Sequence, residues 1–222
     1  MSPSSRVTAS PPALRALPGG VSVAEAHASD DELIDGIVRG DERLAEELYE
    51  RLIPVVDRTL YRLFGRREMD HDDLLQSTFE QIVRTLAHDR FARACSLATW
   101  ASTVATHVGL TALRSRRRER RVIDRGLDAE PTLAARAGQG DTERTVDARL
   151  SIEQLRDILS AMDPAKAEAV FLHDVLGHEL AEIAVLTGVS VAAAQSRLVR
   201  GRREMTTRFL ALTGAGSNEE TR

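Results

Sequence analysis

Residues 177–205, GHELAEIAVLTGVSVAAAQSRLVRGRREM, have the pattern of two short helices joined by a tight turn. Gly188 can adopt a positive φ without steric cost, and Ser190 suits the N-cap of the second helix. Apolar residues recur at helical spacing, and in the second helix Val191, Ala194 and Leu198 are expected to face inward. The pattern predicts a helix-turn-helix, a motif whose second helix enters the major groove of DNA.

The opposite face of the second helix carries short side chains at its start and basic ones further along. A helix that meets base edges closely needs small residues there, while Gln and Arg reach bases and phosphates. The residues predicted to contact DNA are Ala192, Ala193, Gln195, Ser196, Arg197 and Arg200. The alternative reading of this stretch is an ordinary helical hairpin with a solvated Arg face.

Composition favours an all-α protein. Of the 222 residues, 42% are hydrophobic but only 4% are aromatic, which suits helices that pack through Leu, Ala, Ile and Val. The net charge of −4 excludes a uniformly basic nucleic-acid binder. Arg is nevertheless concentrated at residues 114–125 and 197–203, and local charge, more than total charge, steers a protein to DNA.

The distribution of apolar periodicity predicts two small helical domains joined by a flexible linker. Residues 1–29 are rich in Ser, Pro, Ala and Gly and are predicted to be a disordered tail. The tail is either a mere extension or a segment that contains a motif for binding a partner. A first helical domain spans 30–121, a linker 122–146, a second domain with the helix-turn-helix 147–213, and a short tail 214–222.

The third helix of the first domain is predicted to begin at residue 71, with Asp70 as its N-cap and acidic residues in its first turn that suit the helix dipole. Its apolar residues recur at helical spacing and are expected to be buried. They are Leu74, Leu75, Thr78, Phe79, Ile82, Val83 and Leu86. A loop and a fourth helix follow, and the fourth helix runs from Leu97 into a run of Arg residues.

Three stretches together resemble the extracytoplasmic-function (ECF) sigma factors of bacterial RNA polymerase, within the sigma-70 family. The stretches are DEL at 31–33 with GD at 40–41 and EELY at 46–49, DLLQSTF at 73–79, and the hairpin with EIA at 182–184, GV at 188–189 and SRL at 196–198. They occur in the family's order and spacing. The resemblance covers residues 30–121 and 150–208.

The resemblance implies an alternative sigma factor that binds core RNA polymerase and directs promoter recognition. Asp73, Gln76 and Glu80 would dock on the polymerase, and the helix-turn-helix would read the −35 element as duplex. The unwound −10 element would be held by Phe91, Arg93, Trp100, Thr103, His107, Arg114 and Arg117. Residues just after Trp100 depart from the family, since Ala101, Ser102 and Thr103 stand where aromatic or basic side chains are usual.

Two other function classes compete with this reading. A helix-turn-helix regulator that never binds polymerase would explain the second domain but leave the 73–79 helix and the basic fourth helix unexplained. A metalloenzyme would need a ligand cluster, and the nearest candidates are His173, Asp174 and His178. The two His residues are five apart across Gly177 and do not share the one-turn spacing of a helical metal motif. We therefore expect no enzyme, no metal and no cofactor.

Partners and location follow from the same reading. The family resemblance implies an anti-sigma factor that binds both domains, and the alternative is self-inhibition in which the acidic first helices cover the Arg-rich recognition helix. The sole cysteine, Cys95, cannot form an internal disulfide, which suits a reducing cytoplasm. No run approaches the ~18 apolar residues of a membrane span, and no secretory signal is apparent, so a cytoplasmic protein without membrane insertion is expected.

Overall fold

The structure, a computed structural model, describes residues 27–126 and 143–216, with side-chain surroundings for 27–123 and 152–212. Throughout these ranges the regular secondary structure is helical, which confirms the all-α prediction. Most of the predicted N-terminal tail, most of the linker and the last residues of the C-terminal tail lie outside the described residues.

The first half of the chain forms four helices. They are α1 (Asp30–Arg39), α2 (Glu42–Phe64), α3 (His71–Ala87) and α4 (Leu97–Gly126). A capping box formed by Ser29 and Glu32 starts α1, and Gly40 ends it at φ 73°. Asp41 caps α2, as its side chain accepts a hydrogen bond from the Leu44 amide at 3.1 Å. The helix α2 continues without interruption past Pro54.

The first described helix of the second half starts within the segment predicted to be the linker. Its elements are α5 (Glu143–Ala161), α6 (Pro164–Val170), a π-helical turn (Phe171–Val175), α7 (Leu180–Leu186) and α8 (Val191–Gly216). Asp163 caps α6 with Pro164 at the first helical position, as the sequence predicts. In the described part of the chain no single helix is long and apolar enough to span a membrane, and only α7 and α8 together, bent by 105°, meet that length and composition.

Asp70 does not cap α3, contrary to the sequence prediction. It occupies the N-cap position, but its side chain makes no capping hydrogen bond. Its carboxylate instead accepts from Arg116 of α4 at 2.5 and 2.6 Å, and the Arg116 guanidinium lies 4.7 Å from the centre of the Phe64 ring. A charged guanidinium is a stronger donor than a backbone amide, so the ion pair takes the place of the cap.

One continuous core joins the two halves. Side chains of α5, of the connection between α5 and α6, of α6 and of the π-helical turn belong to the same cluster of buried residues as Phe64 of α2 and Leu110 of α4. These side chains are Ile158, Leu159, Met162, Ala167 and Phe171. The second half of the chain therefore packs on α2 and α4, and we call this contact surface the junction.

Polar contacts at the rim of the junction are numerous. The Arg156 side chain is only 13% exposed, and it donates to the Phe64 carbonyl and, at 3.4 Å, to Glu68. Arg117 donates to the Asp157 carbonyl at 3.0 Å. A hydrogen bond of 2.9 Å joins Ser102 of α4 to His178. Since Arg156 would leave buried acceptors behind if it were removed, it contributes to holding the junction closed.

Gly109 permits the close approach of α4 to α2. A Cβ atom at this position would lie 2.4 Å from Cδ2 of Leu63, which is only 2% exposed and cannot move into solvent. Replacing Gly109 by Ala improves helix propensity by about 1 kcal/mol, but overpacking costs about 1–3 kcal/mol. We expect Gly109→Ala to lower the urea midpoint of unfolding. A raised midpoint would mean that the two helices lie further apart.

Candidate functional site

An open groove of about 730 Å³ lies along α3 beside α2. Its lining residues are Tyr49, Asp72, Leu75, Gln76, Phe79, Glu80, Val83 and Arg84. The rings of Tyr49 and Phe79 are 4.5 Å apart, and Gln76 donates to Glu80 at 2.9 Å. The groove thus combines an apolar floor with charged edges, as surfaces that receive a partner helix do.

Two of the three predicted docking residues line this groove. Gln76 and Glu80 do so, whereas Asp73 does not. The expectation that Val83 is buried is wrong, since it is 41% exposed, and Leu75 is only partly buried. The apolar arc of α3 is wider than the surface that α1, α2 and α4 cover, so its edge remains open. Periodicity alone could not separate this edge from the buried stripe.

The loop between α3 and α4 brings two of the predicted −10 residues together. Phe91 is 8% exposed, and its ring lies 4.8 Å from that of Trp100 at the start of α4. Arg93 points to α1, where it donates to Asp31 at 2.8 Å and to Asp35 at 2.7 Å. These bonds raise the pKa of Arg93 and lower that of Asp35.

Further along α4, Trp100, His107 and Arg114 recur every seven residues and share one side of the helix. His107 is exposed, Trp100 and Arg114 are partly buried, and Thr103 is 8% exposed. Burial lowers the pKa of Arg114. Arg117 lies in the junction, where it contacts the second half of the chain.

The helix-turn-helix is present as predicted. The helices α7 and α8 meet at 105°, within the usual range for this motif, and Gly188 in the turn has a φ of 65°. Ser190 caps α8 by accepting from the Ala193 amide at 3.2 Å. Leu172, Ile183, Ala184 and Ala194 form a small core beneath the turn.

The exposed face of α8 carries half of the six residues predicted to contact DNA, and the other half are partly buried. Ala192, Gln195 and Arg200 are exposed, while Ala193, Ser196 and Arg197 are partly buried. Val191 is 49% exposed, so its predicted inward position is wrong. It lies in the first turn of α8, ahead of Ala194 and Leu198, which meet buried residues of the neighbouring helices.

Glu168 of α6 lies near basic side chains of both α4 and α8. Burial raises the pKa of Glu168, and attraction to His107, Arg114 and Arg197 opposes that shift. Arg197 therefore lies within electrostatic reach of a carboxylate of its own domain. The sequence could not indicate this proximity, because α6 is distant from α8 along the chain.

The residues considered for a metal site have other partners. Asp174 accepts from Arg202 of α8 at 3.0 Å and pairs with His173 at 2.9 Å, and these bonds lower the pKa of Asp174. His178 binds Ser102 across the junction. Among the described residues no group of three or more His, Cys, Asp or Glu side chains could hold a metal ion. Burial raises the pKa of the Cys95 thiol, which disfavours a reactive thiolate.

The geometry does not support self-inhibition through the acidic first helices. Asp31 and Asp35 of α1 bind Arg93, and Asp30 binds Arg51 at 3.0 Å. The recognition helix α8 packs on α5, α6 and α7 instead. The two halves of the chain contact each other at the junction on α2 and α4, away from α1.

Comparison with known proteins agrees with these elements. Residues 48–119 match sigma-70 region 2, and residues 152–205 match sigma-70 region 4. The RNA polymerase sigma factor CarQ of Myxococcus xanthus is 30% identical over 160 residues, covering 72% of this chain and 86% of CarQ. NccH of Alcaligenes xylosoxydans xylosoxydans is 29% identical over 180 residues, covering 80% and 92%.

Two further relatives extend the comparison. The ECF RNA polymerase sigma factor SigG of Mycobacterium tuberculosis is 30% identical over 188 residues, covering 76% of this chain and 49% of SigG. The structure of CnrH in complex with the cytosolic domain of CnrY has a TM-score of 0.49 and 22% identity, covering 82% of this chain and 97% of that one. On the sequence matches to both sigma-70 regions and to CarQ, the chain belongs to the sigma-70 family as an RNA polymerase sigma factor of the extracytoplasmic-function type.

Proposed function

We propose that three surfaces of this sigma factor divide the work of promoter recognition. The α3 groove docks core RNA polymerase, the Trp100 side of α4 with the preceding loop holds the unwound −10 strand, and the exposed face of α8 reads the −35 duplex. The observation that carries the proposal is the open groove, because a regulator that only binds duplex DNA has no use for it. The proposed role is non-catalytic and is exercised on polymerase in the cytoplasm.

The groove has the chemistry expected of a polymerase dock. Tyr49 is 46% and Val83 41% exposed, so apolar area remains to be covered by a partner. Glu80 and Arg84 at the rim supply charges that orient the partner without dominating the affinity. Polymerase and an anti-sigma factor would compete for this area, and we propose such a factor as the second partner of the groove.

Promoter binding requires the junction to open. The −10 and −35 elements lie about 25 base pairs apart, or about 85 Å along B-form DNA. A compact chain of this length is only about 45 Å across. The two DNA-binding surfaces therefore cannot reach both elements while α5 and α6 remain packed on α4. We propose that polymerase binding and promoter binding separate the two halves.

Single-stranded and duplex DNA place different demands on the two DNA surfaces. Trp100 offers a ring on which a base can stack, with the exposed His107 on the same side of α4. The start of α8 offers Ala192 and Gln195, which allow close approach to base edges, and Arg200 beyond them.

Arg200→Ala is expected to weaken binding to −35 duplex by about 1–3 kcal/mol if Arg200 makes a good base contact. Arg197→Ala should have a smaller effect, because Glu168 already attracts Arg197. Fluorescence anisotropy on labelled duplex measures both. Arg208→Ala is the matched control, since Arg208 pairs with Glu204 at 2.8 Å further along α8. Equal losses in the Arg200 and Arg208 variants would assign binding to overall charge instead.

Co-purification with core polymerase tests the proposal against its alternative. A sigma factor is retained by core polymerase without DNA, whereas a helix-turn-helix regulator binds promoter duplex and leaves polymerase in the flow-through. Retention that is lost when the groove is altered and kept when α8 is altered is the expected result. Retention unaffected by the groove would overturn the docking assignment.

A further inference from the structure

The loop from residue 88 to 96, here called the −10 loop, has an unusual backbone. Asp89 and Arg93 are its two residues with positive φ, at 50° and 53°. Asp tolerates the left-handed region because its short side chain can bond locally, whereas Arg seldom adopts it. A long side chain in this conformation persists only where surrounding contacts hold it.

The contacts that hold Arg93 come from α1. Its Nη1 donates to Asp31 Oδ1 at 2.8 Å and its Nη2 to Asp35 Oδ1 at 2.7 Å. The two carboxylates are four residues apart and so lie on one side of α1. Because the planar guanidinium donates to both at once, its position and orientation are specified together.

The same helix also fixes the end of the loop. Asp30 accepts from the Leu97 amide at 2.8 Å, at the point where α4 begins, and Arg51 of α2 holds Asp30 at 3.0 Å. The two anchors are flanked in sequence by Phe91 and Trp100, and Phe91 is buried against Trp100. The helix α1 thus binds the loop on both sides of Cys95, close to the rings of Phe91 and Trp100.

Charge argues against Arg93 as a phosphate ligand. Two carboxylates surround one guanidinium, so the group of three carries net negative charge and repels a nucleic-acid backbone. A phosphate that displaced Asp31 and Asp35 would also release the conformation of Arg93.

We propose that Asp31 and Asp35 are positioning residues for the −10 loop, acting through Arg93 as a clamp that sets the shape of the loop around Phe91 and Trp100. This inference rests on the proposed function of the loop in holding the −10 strand. It assigns a role to α1 through two acidic side chains that would not themselves contact DNA. It also replaces the predicted role of Arg93 as a direct DNA contact.

The test uses Asp31→Asn with Asp35→Asn, which preserves size and removes both charges. Trp100 is the only tryptophan, so its fluorescence reports the ring pair directly. We expect a red-shifted emission that acrylamide quenches more readily. Discrimination between the cognate −10 single strand and a base-substituted one should fall about three- to tenfold, the range for losing charge-assisted surface hydrogen bonds. Binding to −35 duplex and to core polymerase should not change.

Glu46→Gln with Glu50→Gln is the matched control, because it removes two exposed carboxylates at the same spacing from α2. Adding Arg93→Ala to the Asp31 and Asp35 changes should cause no further loss, since the residues act as one unit. Unchanged Trp100 fluorescence, or tighter binding of the −10 strand once the carboxylates are neutralised, would overturn the clamp. Altered fluorescence with unchanged discrimination would instead overturn the role of the loop on which the inference rests.

Discussion

Oxidation of a cysteine pair at positions 65 and 152 is expected to reduce promoter-dependent transcription to background, and reduction is expected to restore it. A Cβ at Gly65 would lie 2.9 Å from Cγ2 of Ile152, across the junction. This is compatible with the Cβ separation of about 3.5–4.5 Å that a disulfide needs. A disulfide there holds α5 on α2, and a closed chain about 45 Å across cannot bridge promoter elements about 85 Å apart.

The reduced form of the same double-cysteine variant is the control for this experiment. Gly65→Cys with Ile152→Cys is made in a Cys95→Ala background, so that the engineered pair contains the only thiols. Gly65 has a φ of 68°, so a side chain there costs about 1–2 kcal/mol, and the reduced form carries the same cost. Equal transcription by the oxidised and reduced forms would show that the junction does not need to open.

Val83→Glu is expected to weaken binding to core polymerase about 10- to 100-fold, or about 1.4–2.8 kcal/mol. A carboxylate in the groove floor must be desolvated when a partner helix covers it, and burying a charge is costly. Since Val83 is 41% exposed, the change should alter stability by only about ±0.5 kcal/mol. Surface plasmon resonance with immobilised core polymerase measures the loss.

Val38→Glu is the matched control for the groove variant. Val38 is an exposed helical valine, at 50%, and it does not line the groove. Both variants add the same charge, so the groove variant alone should lose affinity. Equal affinities for the two variants would place the polymerase dock elsewhere on the molecule.

The predictions that succeeded rest on local signals. Gly188 and Ser190, with Ala194 and Leu198 at helical spacing, are sufficient to define the turn and the recognition helix, because the chemistry of a turn and a cap is contained within a few residues. Asp163 and Pro164 define the start of α6 in the same way. The resemblance then supplies the family, which composition and periodicity alone do not.

The predictions that failed involve partners far along the chain. Asp70 is a plausible cap until Arg116, 46 residues later, takes its carboxylate. The partners of Arg93 on α1 and of Arg117 on α5 were equally invisible in the sequence, while the −10 roles of these two residues stay predictions. No local sequence pattern indicates which acidic residues an Arg side chain will contact in the folded protein. The sites on polymerase and promoter therefore remain predictions at the level of single residues.

In vitro transcription with core polymerase on genomic fragments tests the central claim most directly. We expect transcripts that require this protein, start downstream of a shared −35 and −10 pair, and fall in yield with the Val83→Glu variant. We also expect that binding of this protein alone to duplex DNA does not start transcription. The contrary result is a protein that binds specific duplex sites but neither joins core polymerase nor starts any transcript, since that is the behaviour of a regulator without sigma activity.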